Sequence, residues 1–238
     1  MPWTDIVEVV PAKDFSFSAS GDPVPGPAPE NLCVRAYDLL RQEFDLKPVA
    51  IHLHKCIPLG AGLGGGSADG AYALRTLNEI FTLSLGADQL RSLAARLGSD
   101  CPFFVEGKPA IGTGRGEVLS EIALSLKGKY LVIVRPEVVI STAKSYAGVT
   151  PRESSIELRD VLEHHPIEQW RQLLKNDFED HVFKQFPIIE AIHQKLYALD
   201  ALYASMSGSG SAVFGIFPSE VDLKRAFERL TYWSGYLD

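Results

Sequence analysis

Cysteine is scarce in this chain of 238 residues. Only Cys33, Cys56 and Cys101 occur, an odd number at wide spacing, which gives neither a disulfide framework nor a paired-cysteine zinc site. Long apolar runs are missing as well. None approaches the ~20 residues that span a bilayer, and the start lacks the basic-then-apolar pattern of a secretory signal. These absences predict a cytoplasmic protein with no membrane partner. Positive charge is in deficit: 23 Lys and Arg stand against 30 Asp and Glu, a formal net charge of −7. A nucleic-acid partner would call for a basic face and is not expected. There are no internal repeats or low-complexity tracts, and no feature specifies an oligomeric state. The composition, 46% apolar and 22% charged, is that of a globular protein with material for one large domain or two small ones.

Glycine is where the chain is rich. Six of its glycines (Gly60, Gly62, Gly64, Gly65, Gly66 and Gly70) fall between Pro58 and Ala71. The alternating segment from Val49 to His54 ahead of them reads as a strand, and the spacing from Tyr72 to Phe81 predicts a helix. A glycine-rich bend that opens a helix cradles anions, because bare N–H groups reach phosphate oxygens and the helix start adds partial positive charge. A tight turn alone would need only two or three glycines. Gly60, Gly62 and Gly65 fit the dinucleotide fingerprint formally. The acidic residue that fingerprint requires about 20 positions on would fall at Asn78 to Phe81, inside the helix. A Walker loop requires Gly-Lys-Ser or Gly-Lys-Thr; here Gly66-Ser67 has no lysine.

The whole string, Pro58-Leu59-Gly60-Ala61-Gly62-Leu63-Gly64-Gly65-Gly66-Ser67-Ala68-Asp69, closely resembles the second motif of the GHMP kinase superfamily, small-molecule kinases without a Walker lysine. Its triple glycine and Ser-Ala-Asp are most similar to the branch acting on 4-diphosphocytidyl-2-C-methyl-D-erythritol in non-mevalonate isoprenoid biosynthesis. Two other stretches carry the same resemblance. Gly98-Ser99-Asp100-Cys101-Pro102-Phe103-Phe104 is similar to the family's Gly-x-Asp-Val-Pro-Phe-Phe, whose aspartate is the proposed catalytic base. Ser207-Gly208-Ser209-Gly210-Ser211 resembles its third motif, a turn beside the nucleotide loop.

The resemblance implies an α+β fold of two subdomains around a shared cleft. Residues 1–127 would be ribosomal-protein-S5-domain-2-like and 128–238 ferredoxin-like, with the boundary near Leu126 to Tyr130. It implies ATP and Mg²⁺ as cofactors and phosphorylation of the 2-hydroxyl of 4-diphosphocytidyl-2-C-methyl-D-erythritol, a small-molecule substrate. Pro58 and the run Gly60 to Ser67 would hold the triphosphate, with Ser67 approaching the metal. Asn31 would lie close to the adenine, with Lys55 at a matching nucleotide-side position. Asp100 would orient the acceptor hydroxyl or take its proton. Tyr146 would stack on the cytosine, and Gly208, Ser209 and Gly210 would approach the ligands with bare backbone and hydroxyl donors. Gly112, Gly114 and Gly116 would line the substrate side. Plainer readings stand beside these. Asn31 is also a good N-cap for a helix burying Leu32, Ala36, Leu39 and Leu40. Asp100 is also a turn aspartate before proline, with a buried aromatic segment expected after it. Arg115 is a phosphate contact or a surface arginine, and a lone Tyr146 could belong to a core. The Ser-Gly run has a linker's composition, but Met206 and Val213-Phe214 around it argue for a packed turn.

Around these motifs, Trp3 to Val10 and the segment at Phe15 and Phe17 read as a hairpin across Pro11 to Asp14, followed by a proline-rich loop from Gly21 to Pro29. His52 and His54 share one strand face, without a third metal ligand at useful spacing. Ala87 to Leu97 reads as a helix, Ala110 to Glu117 as a glycine-rich hairpin turn, and Tyr130 to Val134 as a buried strand. Short and amphipathic helices are expected from Ser141 to Tyr146, Pro166 to Lys175 and Pro187 to Leu199. Asn176-Asp177-Phe178-Glu179 is similar to the family's Asn-Asp-Leu-Glu and reads as a helix start and packing feature. Ala212 to Phe217 reads as a strand and Ser219 to Leu230 as a final helix. The family's opening Lys-Ile-Asn-Leu strand and Gly-Tyr-His string are absent, and Met1 stands where an internal residue would be expected. The first strand is thus expected to be missing, exposing a sheet edge and sparing nucleotide binding more than catalysis. Alternatives are a GHMP kinase for homoserine or a mevalonate derivative, or a non-catalytic ATP-binding remnant.

Overall fold

The computed structural model describes residues 3–150 and 156–238; Met1, and the expectation attached to it, lies outside them. The fold is α+β. Contacts divide the chain into two units. The first comprises Trp3–Leu59 and Gly64–Glu121, and the second comprises Gly60–Leu63 and Ile122–Asp238.

In the first unit the order is β1 (Ile6–Pro11), β2 (Ser16–Gly21), α1 (Leu32–Glu43), β3 (Val49–Lys55), α2 (Gly65–Ile80), α3 (Ala87–Leu97), α4 (Phe103–Glu106), β4 (Ala110–Thr113) and β5 (Val118–Glu121). The expected β1–β2 hairpin does not form. Both strands flank β3, β1 antiparallel and β2 parallel to it, so that Ile51 faces Val9 on one side and Phe17 on the other. The short link between them passes the start of β3, where the Ala12 N–H donates to the Pro48 carbonyl. The burial of β3 explains the arrangement. Val49, Ile51, Leu53 and Lys55 are buried on it, whereas β1 and β2 are mostly exposed. A buried strand must satisfy N–H and C=O groups on both edges, and two flanking strands do that.

Helices α1, α2 and α3 cover one sheet face. Tyr37, Leu40, Leu74, Leu77, Leu93 and Leu97 pack there with Val49 and Ile51. The buried positions of α3 are Leu90, Leu93, Ala94 and Leu97, as their spacing predicts. Helix α2 begins at Gly65 rather than Tyr72, because glycine, serine and alanine carry too little apolar contrast to register a period. The segment after Asp100 leads into a single helical turn, not a buried aromatic run: Phe103 is exposed, Phe104 is half-buried, and within α4 only Val105 is buried. Strands β4 and β5 form the expected hairpin.

The second unit contains β6 (Tyr130–Arg135), α5 (Thr142–Ala147), α6 (Leu158–His164), α7 (Ile167–Leu173), α8 (Glu179–Gln185), α9 (Pro187–Ala198), β7 (Tyr203–Met206), β8 (Val213–Phe217) and β9 (Thr231–Tyr236). Its antiparallel sheet runs β7-β8-β6-β9. Ile189, Ile192 and Leu196 of α9 pack with Val132, Val134 and Phe217, while Trp170, Val161 and Ile167 pack with Tyr203 and Ile216. The expected helix from Ser219 to Leu230 is replaced by turns leading into β9. Asp222 explains part of this, since its carboxylate accepts the Lys224 N–H, a local bond that competes with helix. Leu223 and Phe227 are buried nonetheless and anchor the turns. No helix among the described residues is long and apolar enough to cross a membrane.

Leu74 is fully buried on the helix that carries the glycine bend. Leu74→Ala is expected to cost about 2–5 kcal/mol, read as a lower urea midpoint; an unchanged midpoint would contradict the packing.

Candidate active site

Strand β3 ends at Lys55, whose side chain is 1% exposed. Its Nζ lies 2.5 Å from Asp5 Oδ2 and 2.6 Å from Asp69 Oδ2. A buried ammonium is tolerated only when paired and hydrogen-bonded. Asp5 Oδ1 also accepts the N–H groups of Cys56 and Ile57, at 2.6 and 2.7 Å. Burial works to raise the Asp5 pKa, but these N–H groups and the Lys55 ammonium prevail and hold it below its ordinary value. At Asp69 burial wins over the pull of Lys55 and pushes the carboxyl up to about 6. Sequence reading missed both acids as site residues. Asp69 stands in the glycine motif itself, whereas Asp5 has no local signal, being 50 positions from its partner.

The bend turns into α2 at Gly64, in the left-handed region at φ +70°. A side chain there would also lie 2.7 Å from the Phe104 ring, and one on Gly65 would lie 3.1 Å from Lys55 Nζ. Glycine is therefore required for both conformation and space at Gly64. Gly65, Gly66 and Ser67 form the first turn of the 16-residue α2. Their amides have no helical carbonyl to bond, and the helix dipole favours an anion there. The Ser67 hydroxyl shares a hydrogen bond with the buried Cys101 thiol, whose pKa is raised by burial. Asp100 precedes Cys101 and is exposed; its Oδ1 lies 3.7 Å from where a Gly116 side chain would begin. No hydrogen bond clamps this carboxylate among the described residues. A cavity of about 180 Å³ is lined by Asn31, Leu53, Lys55, Gly66 and Asp69 among others, bringing together three of the residues that the resemblance assigns to the nucleotide. Asn31 caps α1 as well, accepting the Cys33 N–H at 2.9 Å.

In the second unit, Ala61 and Gly62 meet the serine-glycine turn. The Ser207 hydroxyl donates to the Gly62 carbonyl at 2.8 Å, and the Ala212 N–H donates to Ala61 O at 3.0 Å. Gly62 has φ +76°; a side chain on it would collide with the Ser207 carbonyl and lie 2.8 Å from that of Gly210. The turn is braced throughout. Ser145 donates to the Ser209 carbonyl at 2.9 Å, and Ser211 to that of Val138 at 2.6 Å. Asn176 Nδ2 donates to the carbonyls of Met206 and Gly208, both at 2.8 Å. Glu179 Oε1 accepts from the Ser205 hydroxyl and the Met206 N–H. The Asn176–Glu179 run therefore starts a helix and also fixes the turn. Tyr146 is 63% exposed, its ring edge-on to Phe178 at 4.9 Å. Gly112 and Gly114 lie exposed in the β4–β5 hairpin, and the Arg115 side chain is 86% exposed. The His52 and His54 rings bond Ser18 and Ser20 of β2. Among the described residues no group of three His, Cys, Asp or Glu is arranged to hold a metal ion.

Comparison with known proteins bears on this arrangement. Residues 31–108 match the model of the GHMP kinases N terminal domain, and residues 158–233 that of the GHMP kinases C terminal. The chain is 45% identical over 233 residues to a 4-diphosphocytidyl-2-C-methyl-D-erythritol kinase of Bacteroides fragilis, covering 96% of this chain and 85% of the relative. It is 41% identical over 218 residues to the enzyme of that name from Cytophaga hutchinsonii, covering 91% and 80%. A crystal structure of 4-(cytidine 5'-diphospho)-2C-methyl-D-erythritol kinase superposes with a TM-score of 0.79 at 31% identity, over 97% of this chain and 85% of the other.

Two outcomes follow from the geometry. Gly62→Ala is expected to destabilise the chain by more than about 1 kcal/mol, seen as a fall in thermal midpoint; an unchanged midpoint would show that the bend relaxes freely. Burial pushes the Cys33 thiol up to about 12, so at pH 8 only about one molecule in 10⁴ carries the thiolate. Iodoacetamide should label the half-buried Cys56 in the native protein, and Cys33 and Cys101 only after urea unfolding, as peptide mass mapping would report.

Proposed function

The chain belongs to the GHMP kinase family, and from that premise we propose that it transfers the γ-phosphoryl group of ATP to the 2-hydroxyl of 4-diphosphocytidyl-2-C-methyl-D-erythritol. The observation that carries this reading is the first turn of α2, where Gly65 and Gly66 leave the backbone bare ahead of Ser67, in a chain 45% identical to a kinase of that name. Phosphoryl transfer asks the protein mainly for positioning and for neutralisation of charge, and a helix start with bare amides supplies both at the phosphates.

In this reading, Pro58 and the run Gly60 to Ser67 enclose the triphosphate, while Asn31 and Lys55 serve the nucleoside side. The donors here are oxygens, which suit Mg²⁺. That ion takes one or two protein oxygens and completes its shell from phosphates and water. Ser67 would hold it, and when bound it would neutralise charge on the transferring phosphoryl group. Asp100, beside the cysteine that contacts Ser67, orients the acceptor hydroxyl and takes its proton. An exposed, unclamped carboxylate is able to meet an incoming hydroxyl. The open face of Tyr146 receives the cytosine, and Gly208, Ser209 and Gly210 offer close backbone approach to the substrate.

Asp100→Asn should lower turnover by about 10²–10⁴-fold while leaving the calorimetric Kd for ATP within about twofold. Turnover surviving this change would remove Asp100 from the mechanism. An unaltered chain that binds ATP but phosphorylates nothing would favour the binding-remnant reading. Preference for homoserine or a mevalonate derivative in a substrate panel would refute the assigned acceptor.

A further inference from the structure

Lys55 is the one buried lysine among the described residues, and two carboxylates from distant parts of the chain share it. Asp5 precedes β1, and Asp69 stands in the second turn of α2. Two cavities adjoin this triad. One, of about 280 Å³, is lined by Asp5, Val7, Ile57, Asp69 and Tyr72 among others; the other is the 180 Å³ cavity shared with Asn31 and Gly66. Asp69 borders both, Asp5 only the first and Lys55 only the second. Asp5 thus grips the ammonium from behind, itself fixed by the Cys56 and Ile57 N–H groups, and Lys55 faces the Asn31 side.

A lysine has three N–H donors on a long flexible stem and ordinarily keeps them in water. Here two are committed to Asp5 Oδ2 and Asp69 Oδ2, and no further acceptor holds the third among the described residues. Two carboxylates around one ammonium leave no net positive charge to attract a polyanion. What the triad offers a ligand is a donor at a fixed place.

We propose that Asp5 and Asp69 are positioning residues for ATP: they lock Lys55 so that its remaining N–H meets an acceptor atom of the nucleotide in the Asn31-lined cavity. The inference rests on the kinase reading and is separable from it. Calorimetry with ATP and Mg²⁺ on the unaltered full chain comes first; absence of binding there defeats the kinase reading itself. Given binding, Asp69→Leu removes one of the acceptors and should weaken ATP about tenfold, with the Kd for 4-diphosphocytidyl-2-C-methyl-D-erythritol within twofold. Asp69→Asn keeps an oxygen at the same reach and should restore ATP affinity to within about threefold of the unaltered chain. If both variants bind ATP as the unaltered chain does, or both bind it more tightly, positioning is overturned. Should the leucine variant fail to fold, ¹H–¹⁵N spectra of the unaltered chain decide. A slowly exchanging Lys55 ammonium signal that shifts with ATP and Mg²⁺ but not with the acceptor supports the proposal, and one that stays in place at ATP saturation overturns it.

Discussion

Two stretches of backbone, Gly62 on one side and Ser207 to Gly210 on the other, approach so closely that no β-carbon fits between them. Hydrogen bonds from Ser207 and Ala212 to the Gly62 and Ala61 carbonyls hold them there. The approach constrains the neighbouring residues in turn. The bend must be built of glycine, and the serine-glycine turn must be rigid enough to keep its carbonyls in place. Ser145, Asn176 and Glu179 accordingly spend their side chains on the backbone of the turn and of Met206 ahead of it, and Ser211 ties the turn to the Val138 carbonyl. A composition that elsewhere signals a flexible linker is here one of the most heavily bonded parts of its unit.

Buried charge follows the same logic. Placing Lys55 out of water carries a desolvation cost of several kcal/mol per ion, returned only through close pairing with good geometry. Asp5 and Asp69 supply that pairing from different surroundings. Asp5 has two backbone N–H donors in addition to the lysine and stays low. Asp69 has the lysine, the nearby negative charge of Asp5 and a buried setting, and rises. Glu179 is a further buried carboxylate, satisfied by a hydroxyl and an amide instead of a cation. In both places a costly polar group is kept where it fixes the geometry of backbone close to a glycine-rich segment.

Local chemistry was the most legible. Capping by Asn31, the buried face of α3, the β4–β5 hairpin and the glycine-rich start of α2 each follow from residues within a few positions of one another. Helix α2 starts earlier than its apolar spacing indicates because its first turn has almost no side chains to show a period. Adjacency in the chain favours pairing of β1 with β2, yet β3 buries alternate residues along its length and takes a partner on each edge. The run from Ser219 to Leu230 has helical spacing, but a local bond at Asp222 competes with the helix and the segment forms turns that bury Leu223 and Phe227.

The sequence by itself determined the family and the class of chemistry. Those rest on short strings whose residue types are dictated by sterics and hydrogen bonding within the string. Only the tertiary structure decided which acids hold Lys55, which side chains brace the Ser207–Ser211 turn, and that Asp100 stands exposed. Each of those depends on burial and on contacts between residues tens of positions apart, and no local pattern of side chains encodes a distance across the fold.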